Sequence, residues 1–287
     1  MPSAEAADTP LARKNFHIFG NGISFSISPT IHNAGFNHHC LPYHYDIRES
    51  PCVDDVAHLI KRDEFGGASV TMPHKLQAHR YCDQLTETAR VIGAVNTLIP
   101  RGEGPDRILL GDNTDWSGLY SIITDYLKAS QVAPSTALVI GAGGASRAAI
   151  YALHRAGFQT IYIVNRTMSV AIDVQRSFEN HFEITVLPHL DSIPKLPVVV
   201  IGTVPADKTT EQQFSSIFGL EGLCIDMAYK PRQTPLLAVA QRYPRWKTVT
   251  GIEVLLAQAF DQYQLWTGRE APKEIMVDAV LGRLSKV

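Results

Sequence analysis

The stretch ALVIGAGGASRAAIYALHRAG, residues 137–157, decides the fold of this chain. Four apolar residues read as a strand buried on both faces, the glycines that follow demand a tight turn, and the alanine-rich run after them is helical. A buried strand, a glycine turn and a helix in that order are a variant of the dinucleotide-binding fingerprint. Gly141 permits the turn, and Gly143 lets backbone N–H groups approach a pyrophosphate at the positive end of the following helix. Ser146 stands where the third glycine usually falls. Glycine turns between strand and helix also occur for steric reasons alone, so the surrounding segments must carry the assignment.

They do so on both sides. TIYIVNRT (160–167), VVVIGTVP (198–205) and GLCIDMAY (222–229) read as further buried strands. This implies a doubly wound, Rossmann-like α/β unit with its ligand site at the carboxyl ends of the strands. The end of the second strand normally carries an acid that bonds a ribose hydroxyl, but here it reads Asn165-Arg166-Thr167. A guanidinium flanked by polar side chains favours a 2′-phosphate, so NADP is expected, with NAD as the weaker alternative. An ordinary exposed arginine is the competing reading of Arg166.

Upstream, FHIFG (16–20), a helix over Ser28–His38, YHYDI (43–47), a helix around Val53–Ile60 and GGASVTM (66–72) alternate as strand and helix, implying a second α/β unit with a parallel or mixed sheet. VNTLIP and ILLGDNTD flank a glycine-rich, charged turn as a hairpin, and Thr86–Ile92 forms a short helix. LYSIITDYLKAS (119–130) has helical periodicity, IEVLLAQAFDQYQLWTG (252–268) is strongly helical, and a last helix covers about Pro272–Leu284.

The 287 residues suit two cores with a cleft between them. Hydrophobic residues make up 45% and charged residues 19%, excluding a disordered or fibrous chain. A formal net charge of -2 with scattered basic residues gives no footprint for nucleic acid or an anionic membrane, which leaves a small molecule as the expected partner. Cys40, Cys52, Cys82 and Cys224 form no C-x-x-C pair and read as reduced thiols. The longest apolar run, Leu196–Ile201, is far short of the ~20 residues a membrane span needs. Residues 1–13 read as a flexible tail without the apolar core of a secretory signal, so a cytoplasmic location is expected.

Four more segments matter together: ISFSISPTIHN (23–33), SVTMPHK (69–75), GAVNT (93–97) and GDNTDWSG (111–118). In this order, followed by GAGGASR, NRT, DMAY and GIEVLLAQA, they make the chain resemble the shikimate dehydrogenase family, including its quinate-using members. The resemblance runs from about Phe16 to the C-terminal helices. It implies a substrate-binding domain from residues 14–115 and 252–287 and an NADP-binding domain from 116–251.

Residue by residue, the resemblance implies that Lys75 and Asp115 are the catalytic pair. Lys75 would be the general acid or base at the ring oxygen and Asp115 its orienting carboxylate. Ser26 and Ser28 match the serines that hold the substrate carboxylate, although Ser28 before Pro29 also reads as a helix N-cap. Thr71, Asn96, Tyr229 and Gln258 fall on positions that bond ring hydroxyls or the carboxylate. Gly141, Ala142, Gly143, Gly144, Ala145 and Gly251, with Asn165, Arg166 and Thr167, are expected to hold the cofactor.

The implied reaction is reversible NADPH-dependent reduction of 3-dehydroshikimate to shikimate. The same chemistry on quinate and a ligand-sensing homologue without turnover are the alternatives. Three departures from the family pattern stand out: Ser69 where asparagine is common, no second basic residue after NRT, and GTVPAD at 202–207. His74 reads as a neighbour of the catalytic lysine, and His38-His39 as solvated or packed side chains with no metal.

Overall fold

The computed structural model describes residues 11–285, and most of the expected N-terminal tail lies outside the described residues. The first lobe starts with β1 (Lys14–Gly20), α1 (Ser28–His38), β2 (Tyr43–Glu49), α2 (Ala57–Ile60) and β3 (Phe65–Val70). It continues through β4 (Gln84–Leu85), α3 (Glu87–Ile92), β5 (Thr97–Arg101) and β6 (Ile108–Asp112). Its sheet has the order β2-β1-β3-β5-β6-β4. β1 runs parallel to β2 and β3, and β5 runs antiparallel to both β3 and β6. The hairpin expected around residues 101–107 is therefore present, and it makes the sheet mixed.

The long α4 (Asp115–Ser130) leads into the second lobe. There β7 (Thr136–Ile140), α5 (Gly144–Arg155), β8 (Thr160–Val164), α6 (Met168–Phe178) and β9 (Thr185–Leu187) form one half. The other half contains β10 (Val199–Gly202), β11 (Gly222–Asp226), α7 (Pro235–Ala240) and β12 (Trp246–Val249). All these strands are parallel in the order β12-β11-β10-β7-β8-β9, so the topology switches between β7 and β10. Open parallel sheets of this kind bind ligands at the switch point, beyond the carboxyl ends of the strands.

β7 is buried at every position because apolar clusters cover both faces of its sheet. In the first lobe, α8 (Gly251–Thr267) and α9 (Lys273–Leu284) return to pack Leu256, Tyr263, Met276 and Val280 against Phe16, Ile18 and Phe36. Residues from both ends of the chain thus share one core, each large apolar side chain contributing about 1.5–3 kcal/mol by leaving water. No helix among the described residues is long and apolar enough to cross a membrane.

α4 and α8 pass between the lobes in close contact. An added methyl at Gly118 of α4 would stand 2.8 Å from the Gln258 backbone nitrogen of α8. Only glycine lets the two backbones approach this closely, and the approach brings Gln258 beside the start of α4, where Asp115 stands.

The segment Val53–Ile60 is less regular than a single helix. It is a 3-10 turn over Val53–Val56 followed by one α-turn. The capping reading of Ser28 is corrected. Ile27 occupies the N-cap position, Ser28 is already helical with Pro29 behind it, and no side-chain cap hydrogen bond forms. The Ser28 hydroxyl is instead engaged by Ser26.

Candidate active site

A cleft of about 480 Å³ opens between the lobes, a size suited to a small-molecule ligand. Its floor is set by two turns. After β3, the chain makes a short 3-10 turn over His74–Leu76. The buried His74 anchors it through Nε2 to the Ser50 carbonyl at 2.8 Å, while the Lys75 carbonyl accepts from Val95 N–H at 2.9 Å. His74 is thereby a structural prop that turns Lys75 toward the cleft. From the other side, Asp115 is the first residue of α4 and takes a backbone bond to Asn113 Oδ1. A helix N-terminus favours a carboxylate there through its aligned peptide dipoles.

Lys75 Nζ donates to Asp115 Oδ2 at 2.5 Å, and the two side chains are only 15% and 7% exposed. Such a pair keeps a proton-bearing nitrogen at a fixed point on the cleft wall.

Asn96 and Gln258 meet beside this pair. Asn96 Oδ1 accepts from Thr114 N–H at 2.7 Å, and its Nδ2 lies 3.3 Å from Gln258 Oε1, which also accepts from the Thr114 hydroxyl. These bonds fix which face of each amide turns inward. Across the cleft, the Ser26 hydroxyl donates to Ser28 Oγ at 3.2 Å, and both serines are buried. The Tyr229 phenol is raised above its ordinary pKa by burial, which the nearby Ser26 hydroxyl opposes, so it stays a neutral donor. Thr71 lines the same wall.

Two residues that the sequence reading passes over join this lining. Gln262 lies one helical turn beyond Gln258 on α8, a spacing that puts both on one face. It accepts from the Ser69 hydroxyl at 2.9 Å and donates to Thr97 Oγ1 at 2.8 Å. Ser69 in turn accepts from the Tyr45 hydroxyl at 2.6 Å. The serine found where asparagine is common is thus backed by a buried tyrosine and a glutamine. The other is Lys230, at the cleft mouth.

On the second lobe, Gly143, Gly144 and Ala145 stand at the start of α5 and line the cleft, and Gly251 at the start of α8 lines it too. Gly143 is the N-cap with no side-chain cap bond, and the first turn contains no acidic residue. A side chain added at Gly143 would meet nothing within 4 Å. Free N–H groups facing open space fit a pyrophosphate. Gly141 has φ +115°, and an added methyl there would come within 2.3 Å of Thr203 Oγ1, so the turn at the switch point admits only glycine. Ser146, where the fingerprint's third glycine would be, is fully buried and donates to the Gly143 carbonyl at 2.6 Å.

Gly141, Ala142, Asn165, Arg166 and Thr167 do not line the cleft itself. The last three follow β8, the strand beside β7, where Asn165 Nδ2 bonds the Thr167 carbonyl and Arg166 is exposed without an ion pair among the described residues. His39 bonds the Tyr263 hydroxyl, and the described residues hold no cluster of three metal-ligating side chains.

Comparison with known proteins agrees with this architecture. Residues 18–98 match the family model described as shikimate dehydrogenase substrate binding domain. Residues 126–233 match shikimate / quinate 5-dehydrogenase, and 251–281 match the shikimate 5'-dehydrogenase C-terminal domain. A pentafunctional AROM polypeptide from Schizosaccharomyces pombe is 38% identical over 93% of this chain. The chain spans only 18% of that polypeptide's length.

Among solved structures, shikimate dehydrogenase from Mycobacterium tuberculosis superposes with a TM-score of 0.79 at 28% identity, over 94% of this chain and 99% of that one. Shikimate 5-dehydrogenase from Thermus thermophilus, in complex with NADP(H) and shikimate, gives 0.78 at 28% over the same shares. Two α/β lobes around a Lys–Asp cleft and three successive family matches lead to one assignment: the chain belongs to the shikimate/quinate dehydrogenase family, oxidoreductases that act on a CH–OH group.

Proposed function

We propose that this chain is a shikimate dehydrogenase that interconverts 3-dehydroshikimate and shikimate with NADP. The observation that carries the reading is the Lys75–Asp115 pair, buried in the same cleft as the uncapped N-terminus of α5. NADPH, when bound, supplies the hydride for the carbonyl carbon of the substrate. The residues at the α5 N-terminus would hold its pyrophosphate, and Arg166, with Asn165 and Thr167, its 2′-phosphate.

The chain's own residues manage the oxygen. A carbonyl that receives hydride becomes an alkoxide, and Lys75 donates a proton from Nζ to it, leaving a hydroxyl and a neutral amine. Asp115 holds Nζ toward the cleft through their ion pair before transfer. In the reverse direction the neutral lysine accepts the hydroxyl proton as hydride leaves. Asn96, Gln258 and Thr71 bond the ring hydroxyls, and Ser26, Ser28 and Tyr229 take the carboxylate. Misplaced or missing hydroxyls leave such buried partners unpaired, so the polar lining discriminates among ring acids.

The test is absorbance at the nicotinamide band with shikimate and quinate, each against NADP and NAD. Turnover should be most efficient with shikimate and NADP. Preference for quinate would reassign the substrate, and absence of turnover with every pair would overturn the enzymatic reading.

A further inference from the structure

An acid entering the cleft meets an almost neutral wall. Among the described residues, the charged side chains lining it are Lys75, Asp115 and Lys230. The first two offset one another in their ion pair, and Ser26, Ser28 and Tyr229 offer dipoles but no net charge. Lys230 takes part in no ion pair among the described residues and is the uncompensated charge of the lining.

Its place is set by an aromatic contact across the cleft. Lys230 follows β11 in the second lobe, and its Nζ stands 4.6 Å from the ring centroid of Phe25, on the loop between β1 and α1 of the first. Phe25 precedes Ser26 and packs edge-on against Tyr229 with centroids 5.7 Å apart. Tyr229 lies near Ser26, and both line the cleft. The ammonium thus stands on a ring that packs against Tyr229 and directly precedes Ser26, in the same cleft lining as the hydroxyls assigned to the carboxylate. A cation over an exposed ring is worth only ~0.5–1 kcal/mol, which biases a flexible side chain without locking it. Arg283, whose charge also acts on Tyr229, is tied to Thr30 Oγ1 at 2.7 Å and does not line the cleft.

We infer that Lys230 supplies the counter-charge for the substrate carboxylate and makes this site select an anionic ring over an uncharged one of the same shape. The inference rests on the proposed reading of the cleft as a site for a cyclic acid. Low-dielectric walls focus the field of a single unpaired charge, and an anion is drawn in and held by it. For a partly exposed pair the gain is roughly two- to fivefold in KM.

The experiment measures kcat and KM with NADP for shikimate and for its methyl ester, in the unmodified protein, Lys230→Met and Lys230→Arg, at low and high salt. Lys230→Met should raise KM for the acid by roughly two- to fivefold while the ester's KM and both kcat values move less than about 1.5-fold. Lys230→Arg should restore the acid, and the salt dependence of the acid's KM should shrink in Lys230→Met.

An equal rise for acid and ester would make Lys230 a clasp between the lobes and overturn the inference, as would an unchanged KM for the acid. In both cases turnover by the unmodified protein leaves the proposed reaction standing. No turnover of the acid by the unmodified protein would overturn the reading of the cleft and this inference with it.

Discussion

Gly144, the first residue of α5, lies against the stem of Lys75: a methyl added at Gly144 would stand 2.9 Å from the lysine Cβ. The helix proposed to hold the cofactor's pyrophosphate and the turn that presents the proton donor therefore touch, with no room for a side chain between them. Two lobes with separate cores are brought into register at this point.

Gly144→Ala should consequently shift either the lysine turn or the helix start. A displacement of about 1 Å between reacting groups can cost up to ~10²-fold in rate, so turnover should fall by between ~10- and 10²-fold in a protein that remains folded. Circular dichroism serves as the folding control. Near-normal kcat would show that the two elements can slide apart without consequence.

Lys75 and Asp115 should separate in their effects. Lys75→Ala removes the proton donor, and loss of a general acid or base costs ~10²–10⁴-fold in turnover at saturating substrate. Asp115→Asn leaves the amine in place but loosens its aim, so its loss should be smaller. A lysine that only bound substrate would raise KM and spare kcat. Retention of turnover in Lys75→Ala would therefore reject the proposed proton transfer.

Cofactor choice should depend on Arg166, which is exposed at the end of β8 and has no acidic partner among the described residues. Losing a charge-assisted hydrogen bond costs ~1.5–3 kcal/mol, so Arg166→Ala should raise KM for NADP by roughly 10- to 100-fold and leave KM for NAD nearly unchanged. Steady-state kinetics with both cofactors checks this, and a parallel rise for both would count against a 2′-phosphate contact.

Much of this arrangement is legible in the sequence because its signals are local. The buried run before Gly141, the glycine turn and the alanines after it specify strand, turn and helix with little help from elsewhere. The exchange of an acid for Asn165-Arg166-Thr167 likewise stands out at a defined offset. Features that depend on three-dimensional packing are not legible in this way. Ser28 before Pro29 has the pattern of an N-cap, yet the helix begins one residue earlier than that pattern requires, and the hydroxyl turns to Ser26 instead.

Gln262 could have been found from Gln258 by helical spacing alone. Lys230 could not, because its partner Phe25 is brought to it only by the meeting of two lobes. Tyr45 beneath Ser69 is equally a product of the sheet, since β2 and β3 flank β1.

Two buried groups should tune stability with opposite dependence on pH. His32 is fully buried, stacked on Tyr45 with ring centroids 4.7 Å apart, and neither ring nitrogen has a hydrogen-bond partner among the described residues. Burial lowers its pKa to about 3, opposed only weakly by the Gln262 amide nearby. The folded state keeps the ring neutral while the unfolded chain protonates it below ~6.5, so its contribution is fully present above that pH and falls as pH drops toward 3.

Asp226, at the end of β11, is raised to about 6 by burial, against the bond from the Ala228 N–H and the nearby Thr234 hydroxyl. Its folded state holds a proton that the unfolded chain releases, so stability is lost as pH rises from ~4 to 6 and does not return above. Each slope approaches ~1.4 kcal/mol per pH unit. Relative to the unmodified protein, Asp226→Asn should gain stability as pH rises from 4 to 6, by up to about 3 kcal/mol. His32→Phe should gain as pH falls below 6.5, by about 2 kcal/mol at pH 5. Urea unfolding of the three proteins across this range measures both differences, and each difference curve cancels the titrations the proteins share. Parallel curves for all three would show that neither group titrates differently in the folded and unfolded states.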